Sequence, residues 1–158
     1  MELSGIFINS LWAALFATGL GILLTAPIRY LVPTFLCGFV GRFVRDLCVE
    51  WDTSQNWATL IAATVVVLVA VAIIRRHTVS PVVLVSGVLP LGAAVAMFNV
   101  IFELMRISTL KGEALSAVAA SLNANSVKVF TISLAIALGI AVGIAVVRYL
   151  RRDEGVEV

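Results

Sequence analysis

Residues 33–57 read PTFLCGFVGRFVRDLCVEWDTSQNW, and the fold turns on whether this run crosses a membrane. Strongly apolar sequence lies on both sides of it. Its helix-length part, 34–49, carries Arg42, Arg45 and Asp46, which makes it too polar for an ordinary lipid-facing span. The loop that follows holds Glu50 and Asp52 with no Lys or Arg, and Trp51 and Trp57 stand at its edges.

Outward from that run the composition fixes the class. The chain has 158 residues, 61% of them hydrophobic and 13% charged, whereas soluble domains are ~45–50% apolar and ~25% charged. It reads as a single transmembrane domain over 1–158. A net charge of +2 does not suggest nucleic acid, and the basic residues fall in short clusters between apolar runs. The N-terminal residues include no Lys or Arg, so no secretory signal is evident and the first helix is expected to be retained. Cys37 and Cys48 lie in one predicted helix, about 16 Å apart by helical rise, too far for a disulfide.

Four further apolar segments accompany 34–49. Residues 6–25 are uncharged and long enough to cross ~30 Å of hydrocarbon; Ala13, Ala17, Gly21 and Thr25 recur at i+4, a stripe that admits close helix contact. Residues 57–74 are uninterrupted and end in Arg75-Arg76-His77. Residues 79–105, with Ser80 as a predicted N-cap before Pro81, exceed the length of one span. The surplus coincides with SGVLPLG, where Pro90 removes an amide donor and Gly87 and Gly92 add freedom, so this fourth segment is predicted to be kinked or broken. Residues 112–125 share an apolar face (Leu115, Val118, Leu122) and are predicted as an amphipathic helix at the interface. The last span, 127–147, carries a second stripe at Ala135, Gly139 and Gly143.

Charge counting selects among topologies. Positive residues in short loops favour the cytoplasm. Five crossings with the N-terminus outside put Arg29, Arg75, Arg76, Arg148, Arg151 and Arg152 all inside and the acidic loop outside. Tyr30 and Tyr149 then fall at the inner boundary, Trp51 and Trp57 at the outer one. Four crossings split the arginines. The expected architecture is all-α with about five transmembrane helices, N-terminus outside and C-terminus cytoplasmic, in an inner or plasma membrane.

A spanning 34–49 places Arg45 deep in the bilayer, where an Arg costs ~2.5–3.5 kcal/mol unless it faces protein or water. Gly38, Gly41 and Arg45 share a face, so a neighbouring helix or a small ligand could lie beside the guanidinium. Arg45 reads either as a bidentate carboxylate partner or as a structural tie to a broken-helix carbonyl; Arg42 and Asp46 read as an i,i+4 pair. Pro90 marks either exposed backbone groups at a transporter-like break or a packing kink. Asn99 and Glu103 share a face of the fourth segment, and Glu103 is expected to pair with Arg106 or to serve a cation pathway. Asn123, Asn125 and Ser126 are expected to cap or end the amphipathic helix. One histidine, two distant cysteines and sparse carboxylates support no metal site, and neither a nucleophile–base pair nor a phosphate loop marks an enzyme. No cofactor is expected.

In order and spacing, GFVGRFVRDL, the loop and apolar third span, and VLPLGAAVAMFNVIFELMRIS resemble the threonine/serine exporter family over nearly the whole chain. The likeness is to its C-terminal half, which also occurs as a separate small membrane subunit. Gly41 and Arg45 match a glycine with a basic residue four positions on, Pro90 matches the first proline of the broken segment, and Asn123 matches a polar position before the last span. Ala93 and Ala94 stand where the family has a Pro-Gly pair, implying a milder break. The resemblance implies export of small amino acids or small carboxylates, with Gly41, Arg45, Pro90 and Asn123 as substrate-site candidates, to which the shared face of the fourth segment adds Asn99 and Glu103. It also implies a second membrane subunit resembling the family's N-terminal half. The small-residue stripes at 13/17/21 and 135/139/143 suit contact with that subunit or with copies of the chain, or packing within one chain. A non-transporting membrane scaffold and a pore are the rival readings.

Overall fold

Backbone groups in hydrocarbon must be satisfied within the chain, which favours helices. In the computed structural model, which describes residues 3–74, 81–108 and 113–153, the regular elements are all helical. They are α1 (Leu3–Leu23), a 3-10 turn (Ile28–Tyr30), α2 (Leu31–Glu50), α3 (Gln55–Ile74), α4 (Pro81–Val88), a second 3-10 turn (Leu89–Leu91), α5 (Ala93–Ile107) and α6 (Glu113–Asp153). The architecture is that of an all-α polytopic membrane protein. Three stretches, Ser4–Leu23, Gln55–Ile73 and Leu115–Tyr149, are long and apolar enough to cross a membrane. The stretch 34–49 lies within one uninterrupted helix, α2, despite its charges. Arg75, Arg76, His77 and Ser80, Lys111, and the acidic tail from 154 lie outside the described residues.

Glycines and alanines set the packing. An added Cβ at Gly38 would come within 2.6 Å of Ala17 Cβ and 3.3 Å of the Ala13 carbonyl, and Gly21 faces Leu31 and Thr34. α2 therefore runs antiparallel beside α1. A Cβ at Gly41 would meet Val66 of α3 at 2.6 Å, and one at Gly87 would meet Cys37 of α2 at 2.8 Å. α2 is thus antiparallel to α3 and parallel to α4, and it touches all three neighbours. Cys37, Ala62, Ala63, Val66, Ala70, Val83, Val88 and Leu91 make the core between them. Cys37 and Cys48 are free thiols.

α6 lies parallel to α3. A Cβ at Gly139 would sit 2.6 Å from the Leu60 carbonyl, one at Gly143 2.7 Å from Val67, and Thr64 Oγ1 donates to the Gly139 carbonyl at 3.1 Å. Both small-residue stripes are thereby occupied within the chain, the first by α2 and the second by α3. They are not free for a second subunit, because at these separations no other helix fits against them.

Residues 113–153 form one continuous helix. The expected interfacial helix at 112–125 is the beginning of α6, and Asn123, Asn125 and Ser126 end nothing. The physical reason is that no Pro or Gly occurs between Glu113 and Leu138, so polar side chains alone leave the helical backbone bonds in place.

Candidate functional site

The fourth segment is broken outright. α4 ends at Val88, Pro90 sits in the 3-10 turn, and Gly92 adopts φ +117°, ψ 4° before α5 begins at Ala93. The helical path is therefore interrupted at Gly92, two residues beyond the proline, and resumes in the same general direction with Ala93 and Ala94 opening α5. A positive φ of this size is open to glycine and strained for other residues.

The break lies against Arg45. A Cβ added to Gly92 would stand 3.0 Å from Arg45 Nη2 and 3.1 Å from Cζ, so the guanidinium rests on bare backbone. Arg45 is 6% exposed. Its Nε donates to Thr59 Oγ1 of α3 at 3.3 Å, and the Thr59 hydroxyl donates in turn to the Gln55 carbonyl at 2.7 Å. Arg45 Nη1 is 3.6 Å from Asp46 Oδ1, while Asp46 Oδ2 accepts from Arg42 Nε at 3.0 Å. One carboxylate thus serves two guanidinium groups. The first amides of α5, unpaired within the helix and at its positive end, begin one residue past Gly92.

Arg45 lies five positions before the end of α2, and Thr59 four positions after the start of α3. By helical rise both are about 6–8 Å from the helix ends that carry the 51–54 connection. The site is near one end of the bundle, on the side of that acidic loop.

Of the six sequence-derived candidates, Gly41, Arg45 and Pro90 come together around this break. Gly41 supplies the close approach of α2 to α3 and α4, its added Cβ lying 3.6 Å from Leu91 and 3.7 Å from the Gly87 carbonyl. Asn99 and Asn123 are exposed, on α5 and on the first part of α6. Glu103 is on α5, eleven positions from Gly92, about 16 Å by helical rise. It accepts a hydrogen bond from Asn125 Nδ2 at 2.9 Å, and the Arg106 guanidinium one turn on lies over the Phe102 ring at 5.9 Å. The residues that sequence reasoning missed at Arg45 are Thr59 and Gly92. Thr59 carries no signal beyond being a lone hydroxyl near the start of an apolar span, whereas Gly92 stood in the SGVLPLG run and was readable as the pivot.

Among the described residues no group of three or more His, Cys, Asp or Glu could hold a metal ion. The family described as Threonine/Serine exporter, ThrE, matches residues 9–148. No curated protein and no solved structure matches the chain.

Proposed function

The chain belongs to the threonine/serine exporter family, and on that premise we propose that it is a subunit of a secondary exporter that holds a carboxylate-bearing solute at Arg45. The substrate is a small amino acid of the threonine/serine kind or a small carboxylate. The observation that carries the reading is the buried guanidinium resting on the Gly92 backbone, beside the start of α5, with one shared carboxylate as its counter-charge. An arriving carboxylate adds a second acceptor beside the shared Asp46 and can engage Arg45 in two parallel hydrogen bonds. The α5 amides add donors of the kind that transporters use at broken helices.

In this reading α2 crosses the membrane, because it lies antiparallel along α1 and buries Arg45 and Asp46 away from lipid. Five crossings follow, with the N-terminus outside and the C-terminus in the cytoplasm. The chain works beside a second helical subunit or copies of itself.

Flux of labelled threonine and succinate in proteoliposomes tests the site. Arg45→Lys keeps the charge but loses the planar fork, and Arg45→Gln loses both. At matched insertion, flux is expected to fall about tenfold or more in Arg45→Gln, the size of one charge-assisted bond, and by less in Arg45→Lys. Unchanged flux in both variants would remove Arg45 from the pathway and favour a scaffold.

A further inference from the structure

α5 and the first part of α6 form an antiparallel hairpin, pinned where Asn125 Nδ2 donates to Glu103 Oε1 at 2.9 Å. One face of the hairpin is apolar. Met97, Ile101 and Leu104 of α5 and Val127, Phe130 and Leu134 of α6 lie on it, each half or more exposed, and Phe98 and Phe102 border it. The opposite face is polar. Asn99 and Arg106 stand about half a turn round α5 from Met97, and Lys128 about half a turn round α6 from Phe130; all three are exposed. A hairpin surrounded by lipid is apolar all round, whereas one with a single apolar face turns that face to protein. The rest of the chain leaves the face clear. α3 sits against Gly139, half a turn round α6 from Phe130, so the bundle lies behind the hairpin.

The face carries a hole and a knob at one height. Between the two helices runs a groove of about 340 Å³, lined by Met97, Ile101, Ser126, Phe130 and Ser133 among others. Counted back from the bond between residues 103 and 125, Phe130 stands level with Phe98, between Met97 and Ile101. It is 70% exposed, so its ring projects from the groove's edge at the height of the groove itself. Two chains inserted the same way in one membrane are related by a two-fold axis along the membrane normal, which brings equal heights and the same patch together. Such an axis sets each Phe130 at the other copy's groove. The area fits as well. Six large side chains, about 100 Å² each when half exposed, give on the order of 600 Å², at the upper end of what monomers leave in one patch. With Phe98 and Phe102 at the border this approaches the ~800 Å² per partner of a stable interface.

We propose that the occupant of this face is a second copy of the chain. Two hairpins pair as a four-helix bundle, with each Phe130 seated in the other copy's groove. The pairing rests on the second-chain part of the functional reading and not on its solute site, since Arg45 lies on α2.

The full chain, purified alone, is weighed by light scattering in detergent and by native mass spectrometry from nanodiscs, and a dimer is expected. Ser126→Trp and Ser133→Trp fill the groove from exposed positions. Each should weaken pairing at least about tenfold and leave the thermal midpoint of the chain in place. Oxidation in a Cys37→Ala, Cys48→Ala background then locates the contact. Met97→Cys on one tagged copy and Phe130→Cys on a differently tagged copy should join in a disulfide between copies; Lys128→Cys in place of Met97→Cys should not. Arg45→Gln is expected to keep the dimer mass even where it abolishes flux, which separates the pairing from the solute site. A chain that stays monomeric above about 10 μM overturns the pairing and leaves the face to a different membrane subunit. A dimer joined through Lys128→Cys, or one that both tryptophan variants leave intact, overturns it as well.

Discussion

Arg45 and Gly92 have to be understood together, because each fixes the other. The guanidinium can lie flat on the break only where no side chain intervenes, and the backbone at φ +117° tolerates only glycine without strain. Gly92→Ala therefore meets two penalties, one from the dihedral and one from the 3.0 Å approach to Nη2. The variant is expected to lose about 1–3 kcal/mol of stability in denaturant unfolding in detergent, with flux reduced alongside. Arg45→Ala removes the collision but not the dihedral strain. The double variant should then be less destabilised than the sum of the singles by at least about 0.5 kcal/mol, the coupling typical of residues in contact. Additive effects would mean that the two residues do not touch in the membrane. That Arg45 faces protein was legible because a charge inside an apolar helix must face something other than lipid. Its hydrogen-bond partner Thr59 was not, because the pairing comes from the crossing of α2 and α3 and no local pattern encodes it.

At the scale of elements, the helix break and the small-residue stripes could both be read from sequence, since proline chemistry and i+4 spacing are local. What the stripes face could not. A stripe of Ala and Gly permits close approach without naming the approaching helix, and here α2 and α3 take those places. The continuous α6 shows the converse: polarity at 123–126 looked like a boundary, yet a helix ends only where its backbone bonds are broken or capped, and that stretch contains neither Pro nor Gly. These assignments predict distinct outcomes for bulky substitutions. Gly139→Leu drives a side chain into the Leu60 carbonyl, 2.6 Å from the first added atom, so α3 and α6 must separate. Overpacking of this kind costs about 1–3 kcal/mol and should appear as lowered thermal stability of the chain itself. The outward stripe of α5, with Phe98 70% and Phe102 54% exposed, is the better candidate for contact with a second chain. Phe98→Ser with Phe102→Ser should leave chain stability within about 0.5 kcal/mol and lower the mass measured in native detergent. A mass lowered by Gly139→Leu instead, with stability intact, would reverse the assignment.

The whole molecule has a direction. The connection at 24–30, the ends of α3 and α6 and the start of α4 gather at one end of the bundle, while the start of α1, the 51–54 connection and the Arg45 site lie toward the other. α6 passes Leu60 at Gly139, and α3 begins five positions before Leu60, so the part of α6 before about residue 134 runs beyond the start of α3. By helical rise that part is about 30 Å long, and α5 runs outward along it, antiparallel to α6. α6 as a whole, 41 residues, is about 60 Å against a hydrocarbon core of ~30 Å. Ordinary tilts of ~20° shorten its reach by too little to hide it. Part of the α5–α6 pair must therefore leave the hydrocarbon on the side of the 51–54 connection. On the orientation proposed above, that side is outside. A sided labelling experiment joins the two arguments. In a background of Cys37→Ala and Cys48→Ala, single cysteines are introduced by Thr53→Cys, Ala117→Cys and His77→Cys, and intact cells are treated with a membrane-impermeant maleimide. Positions 53 and 117 should both label, 117 because the projecting arm carries it past the membrane surface, and 77 should label only after permeabilisation. Labelling at 77 without 53 would invert the chain and place Arg45 near the cytoplasmic face. Labelling at 53 without 117 would keep the orientation but return the arm to the bilayer or to cover by another chain, which the mass of the Phe98/Phe102 variant then separates, since only a protein cover is lost with those side chains.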